Sequence, residues 1–137
     1  MSGLPDEARL VRAWIEKGDH DLLAGELILK GGKETPFDTA CFHAQQSVEK
    51  YLKALLTSMK VEFPYTHDIR VLVQRVRSRI TQDIDEASLI ALNRYAIQTR
   101  YPGDPEPIDR PEAMKAMATA RKLRKIVRAA LKDVLAE

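Results

Sequence analysis

The chain has 137 residues, 45% apolar and 31% charged, with a formal net charge of +2. That length suits one ordinary domain, and the near balance of charge excludes a molecule that is basic all over. The single cysteine, Cys41, excludes an intramolecular disulfide and a cysteine metal cluster.

Residues 1–137 are therefore read as a single domain, and the low aromatic content (6%) together with abundant Ala, Leu, Lys, Arg and Glu predicts an all-α fold. No window approaches the roughly 18 uninterrupted apolar residues that would span a bilayer. The start, "MSGLPDEARLVRAW", lacks an apolar core behind a basic end. The expected setting is cytoplasmic, away from membranes.

Five helices are predicted, four long and one shorter. The first covers about Asp6 to Lys30, with Val11, Trp14, Ile15, Leu22, Ile28 and Leu29 on one side, and "GGK" ends it. Gly18 and Gly25 fall seven apart on one face. Each costs about 1 kcal/mol relative to alanine, so close approach of another helix is expected there. Asp21 lies seven residues from both Trp14 and Ile28, on the apolar stripe, and needs a cationic partner: Lys50, Lys53 or His43.

The second helix runs from about Phe37 to Met59. Cys41, Ala44, Val48 and Leu55 mark its core side; His43, Gln46, Lys50, Lys53 and Thr57 recur at the same spacing as a polar stripe. Pro64 breaks the pattern. Thr66 can cap a shorter third helix whose buried side is Ile69, Leu72, Val73, Val76 and Ile80, with His67 and Asp68 in its first turn. The fourth is expected from about Asp83 to Thr99, followed by the proline-rich loop "RYPGDPEPIDRP". The fifth spans about Arg110 to Ala136, with a capping box from Asp109 and Glu112, a buried stripe through Met117, Ala120, Leu123 and Val127, and a basic stripe of Arg121, Arg124, Arg128 and Lys132 opposite. Long helices on short connections imply an up-and-down bundle.

Taken in order, "HDLLAGELIL", "ACFHAQQSVEKYLKALL", "THDI" and "YAIQTRYPGD" resemble the HEPN domain family over about Ala8 to Leu131. The resemblance implies a helical bundle, commonly dimeric, that binds nucleotide or RNA. It also implies a nucleotidyltransferase-like partner in a toxin-antitoxin-type pair. Many members are metal-independent endoribonucleases that use an Arg followed, after four to six residues, by a His. That spacing is absent here: Arg12 precedes His20 by seven intervening residues, and Arg94 has the right separation from Arg100, which is not a histidine. An arginine does not shuttle protons near neutral pH.

The residues expected to contact a ligand are His43, Gln46, Lys50, His67, Asp68, Arg94, Arg100 and Tyr101, with Asp21 as the structural polar partner. Each has a structural reading beside it: a solvated or locally paired helix face for the second helix, a simple cap for His67 and Asp68, and loop anchoring for Arg94, Arg100 and Tyr101. The function expected is a non-catalytic nucleotide- or RNA-binding module, homodimeric, without metal or cofactor. The alternatives are an endoribonuclease with a displaced pair, Arg100 with His43 or His67, and a structural adaptor.

Overall fold

The computed structural model describes residues 4–98, 102 and 107–136. All regular elements among them are helical: α1 (Leu4–Leu29), α2 (Phe37–Ser58), α3 (Ile69–Val76), α4 (Glu86–Ile90), a 3-10 turn (Ala91–Asn93), α5 (Arg94–Gln98), α6 (Arg110–Ala130) and α7 (Lys132–Leu135). None is long and apolar enough to cross a membrane.

The amphipathic stripes assemble one core around α2. Val11 and Ile15 of α1, Val48, Leu52 and Leu55 of α2, and Leu72, Met117 and Leu123 from later elements all lie in it. α2 is wedged between neighbours on most of its circumference, and 13 of its 22 residues are buried.

Helix α1 runs antiparallel to α2, and two glycines allow the backbones to approach. A Cβ on Gly18 would lie 2.7 Å from the Tyr51 ring, and one on Gly25 would lie 2.6 Å from the Met117 sulfur. α6 is also antiparallel to α1: Arg110, its first residue, donates to the Leu29 and Gly31 carbonyls at 2.6 and 2.9 Å, while its guanidinium sits 4.9 Å from the Phe37 ring centroid. The terminal carbonyls of α1 thus find a cationic donor.

α2 ends in a Schellman turn. The Lys60 N–H bonds the Thr57 carbonyl at 3.1 Å and the Val61 N–H the Leu56 carbonyl at 3.0 Å, with Lys60 at φ 58°.

The return leg differs from expectation. α3 starts at Ile69, capped by Asp68 rather than Thr66: the Asp68 carboxylate accepts the Arg70 N–H at 2.9 Å, and the Thr66 hydroxyl oxygen accepts the Asp68 N–H at 3.0 Å. His67 and Asp68 therefore precede the helix. α3 stops at Val76, four residues before the apolar pattern does, and Arg77 just beyond forms a bidentate pair with Glu86 at the start of α4.

The predicted fourth helix is split by the 3-10 turn. This break lets Asn93 accept the Ile69 N–H at 2.8 Å and donate to Asp68 at 2.7 Å, bracing the start of α3. The last helix likewise divides at Leu131. Asp109 caps α6 by accepting the Glu112 N–H at 3.0 Å, but the Glu112 carboxylate does not close a capping box; it turns to Arg94 and Tyr95.

Candidate functional site: a polar notch along α2

His43, Gln46, Lys50 and Lys53 step by three, four and three residues and so share one face of α2. α1 flanks this face on one side and the 59–68 connection on the other. Each flank brings polar groups that α2 alone could not supply.

On the α1 side, Asp21 accepts from His43 Nδ1 at 2.9 Å and, through its other oxygen, from Lys50. Its side chain is only 13% exposed, and two donors from the neighbouring helix offset the cost of taking a carboxylate out of water. On the other side, Glu49 is 3% exposed and accepts from Lys53 Nζ at 2.8 Å and His67 Nδ1 at 2.9 Å. Gln45 completes its shell, donating to the second oxygen at 3.1 Å and to the His67 carbonyl at 3.3 Å. Gln46 lies between the two groups, donating to Gln45 at 2.6 Å.

The notch is thus lined by two clusters of the same composition: one carboxylate, one lysine and one histidine. In both, the carboxylate meets Nδ1 and favours a hydrogen there, so that Nε2 points away from the pair. Neither Nε2 has a partner among the described residues. Lys53 is buried, its ammonium 5.4 Å from the Trp14 centroid and 6.0 Å from that of the exposed Tyr65.

From the sequence, Lys53 falls on the polar stripe as one of three possible partners of Asp21 and Trp14 on the apolar stripe of the first helix, while Gln45, Glu49 and Tyr65 have no site role. The signal available was Glu49 four residues before Lys53 on a helix expected to be wedged between two others. A carboxylate in that position has to be neutralised within reach of its own turn.

The remaining expected residues lie elsewhere. Asp68 is spent on capping α3. Arg94 belongs to a separate cluster where it pairs with Glu112 and donates to the Tyr95 hydroxyl at 3.0 Å, so it does not line the notch. Arg100 and Tyr101 lie outside the described residues.

The basic stripe of α6 is largely committed as well. Arg124 donates to Asp19 at 2.8 Å, Arg128 lies 3.6 Å from the same carboxylate, and Arg121 lies 3.6 Å from Glu26. Among the described residues no group of three His, Cys, Asp or Glu could hold a metal ion.

The sequence model of the HEPN domain matches residues 11–130, which takes in every element that builds the notch. The chain belongs to the HEPN domain family. Two solved structures share the fold of this HEPN chain. One is a crystal structure of a protein from Thermus thermophilus, 29% identical, covering 87% of this chain and 96% of its own, with a TM-score of 0.68. The other is an archaeal HEPN homologue, 24% identical, covering 88% and 97%, with a TM-score of 0.71. No curated protein matches the sequence.

Proposed function

We infer that this HEPN protein is a binding module for nucleotide or RNA, that it binds through the notch along α2, and that it does not cleave its ligand. The observation that carries the reading is the pair of lysine–carboxylate–histidine clusters. In each, a histidine and a lysine meet on one carboxylate and the histidine Nε2 is left without a partner among the described residues, polar groups suited to a base edge and a phosphate.

Cleavage is disfavoured because the family's Arg and His spacing is missing and because Arg94 is engaged by Glu112. The reading includes a homodimer and a nucleotidyltransferase-like partner in a toxin-antitoxin-type pair, supported by membership of the family. The exposed Leu23 and Leu27, one helical turn apart on α1, offer apolar surface for either contact.

Fluorescence polarisation with labelled RNA and with nucleoside triphosphates tests the reading. Binding should weaken at least tenfold in His43→Ala and Lys50→Ala, with circular dichroism unchanged. Absence of binding by every probe, or full affinity in both variants, rejects it. Incubation with labelled RNA in EDTA should leave the RNA intact; cleavage abolished by His43→Ala or His67→Ala would instead establish the endoribonuclease alternative.

A further inference from the structure

Asp19 and Asp21 stand two residues apart on α1 and so point to different sides of it: Asp21 meets His43 and Lys50 at the notch, whereas Asp19 turns to Arg124 of α6. On the Asp19 side, α1 and α6 leave an open groove of about 730 Å³ between them. Leu22 and Leu23 form its apolar part, and Arg121, Arg124, Lys125 and Arg128 line its α6 wall.

The charges in this groove do not cancel. Two carboxylates, Asp19 and Glu26, face the four cations. Asp19 is divided among the Tyr51 hydroxyl, Arg124 at 2.8 Å and Arg128 at 3.6 Å. Arg121 stands 3.6 Å from Glu26, and Lys125 is exposed with no ion pair among the described residues. Long, exposed pairs of this kind contribute little and exchange readily for a better-placed anion. The four cations recur along α6 at three- and four-residue steps, over about 10 Å of helix. Beside them Leu27, one turn on from Leu23, extends the apolar edge along α1, and both leucines are more than half exposed.

We propose that this groove docks an acidic amphipathic helix of a partner protein, with the apolar stripe of that helix on Leu23 and Leu27 and its carboxylates on Arg121, Lys125 and Arg128. Two features decide the occupant. A helix laid along the groove repeats its own side chains at three- and four-residue steps, so its carboxylates meet the α6 cations in register. The half-exposed leucines beside the cations call for apolar cover, which a phosphate backbone does not supply. The inference rests on the reading above only in taking Leu23 and Leu27 as contact surface; it adds the chemistry of what covers them and is independent of RNA binding at the notch.

The test is fluorescence polarisation on the full chain with a labelled synthetic peptide of about 14 residues, roughly 20 Å long as a helix. The peptide is built from Leu, Ala and Glu, with leucines at three- and four-residue steps and glutamates flanking them, and a shuffled peptide of the same composition serves as control. The wild-type protein should bind the ordered peptide at least tenfold more tightly than the shuffled one, and less tightly as salt rises. Lys125→Glu and Leu23→Ser should each lower that affinity tenfold or more, with circular dichroism unchanged because both side chains are outside the core. No binding, equal binding of the two peptides, or full affinity in either variant overturns the docking; RNA binding that still weakens in His43→Ala and Lys50→Ala would then leave the earlier reading standing. RNA affinity that falls in Lys125→Glu but not in Leu23→Ser assigns the groove to nucleic acid instead. Self-association of the wild-type chain that Leu23→Ser abolishes, read by analytical ultracentrifugation, assigns it to a second copy, and either outcome overturns the inference.

Discussion

Gly18 and the Tyr51 ring are in contact across the α1–α2 interface: a Cβ on Gly18 would lie 2.7 Å from Tyr51 Cε1 and 2.9 Å from Cδ1. The ring has nowhere to go, because Tyr51 is fully buried and its hydroxyl donates to Asp19 at 2.6 Å, within the same turn of α1. Gly18→Ala should therefore destabilise the fold by about 1–3 kcal/mol through overpacking, although alanine is the better helix former. Gly25→Ala should cost less, since the flexible Met117 thioether can move aside, and Gly32→Ala should be near neutral because nothing lies within 4 Å. Urea unfolding of the three variants checks this ranking; equal effects would contradict it.

Lys60 occupies the left-handed position of the turn that closes α2, at φ 58°. Glycine adopts that conformation without a Cβ penalty, so Lys60→Gly should raise stability by about 0.5–1 kcal/mol. The side chain is exposed, and no contact is lost with it. A lower melting temperature for this variant would be the contrary result.

Glu49 neutralises a lysine that is itself only 7% exposed. Glu49→Ala would leave that ammonium buried without a carboxylate, at an expected loss of about 3–5 kcal/mol. The double variant Glu49→Ala, Lys53→Met should recover much of the loss, because it removes both charges at once. Equilibrium denaturation of the two variants decides: a single variant costing under about 1 kcal/mol would mean that the pair is far better solvated than its burial implies.

Burial pushes the Cys41 thiol up to about 11 from its ordinary 9.0, with the Tyr95 hydrogen bond and the Arg94 charge opposing. Below pH 9 both folded and unfolded chains keep this proton and the thiol contributes no pH dependence. Between pH 9 and 11 the unfolded chain releases it while the folded chain holds it, so stability falls as pH rises, by at most about 3 kcal/mol. Tyr51 acts in the same direction at still higher pH, its hydroxyl pushed up by burial and by the Asp19 carboxylate that accepts its hydrogen bond. Cys41→Ala should flatten the decline between pH 9 and 11 in thermal melts. At pH 8 the native thiol should resist a thiol reagent that labels it readily in urea.

Periodicity was enough to read the three long helices and the core side of α2, because Ala44, Val48, Leu55 and their counterparts on α1 and α6 repeat at helical spacing and are buried where that spacing places them. The need of Asp21 for a cation was also readable, as a carboxylate on an apolar stripe has few alternatives. What periodicity could not supply was the return leg. There, α3 ends and the next helix breaks at positions that no local residue demands, and the break at Asn93 makes sense only once its side chain is seen to hold Asp68 and Ile69.

The second half of the notch was hidden for the same reason. His67 and Tyr65 reach Glu49 and Lys53 from outside α2, and sequence spacing carries no trace of that meeting. The α6 arginines keep the outward stripe that the sequence gives them, and only the structure shows Asp19 and Glu26 of α1 placed against them.

Trp14 is the only tryptophan in the chain, and it sits over the Lys53 ammonium with its ring nitrogen buried and without a hydrogen-bond partner among the described residues. Indole emission responds to nearby charge and to polar access, so the protein carries its own optical probe beside the Lys53–Glu49 pair. A ligand that draws Lys53 outward or closes over Tyr65 would shift that emission with no label attached, and its dissociation could be followed in real time by the same signal.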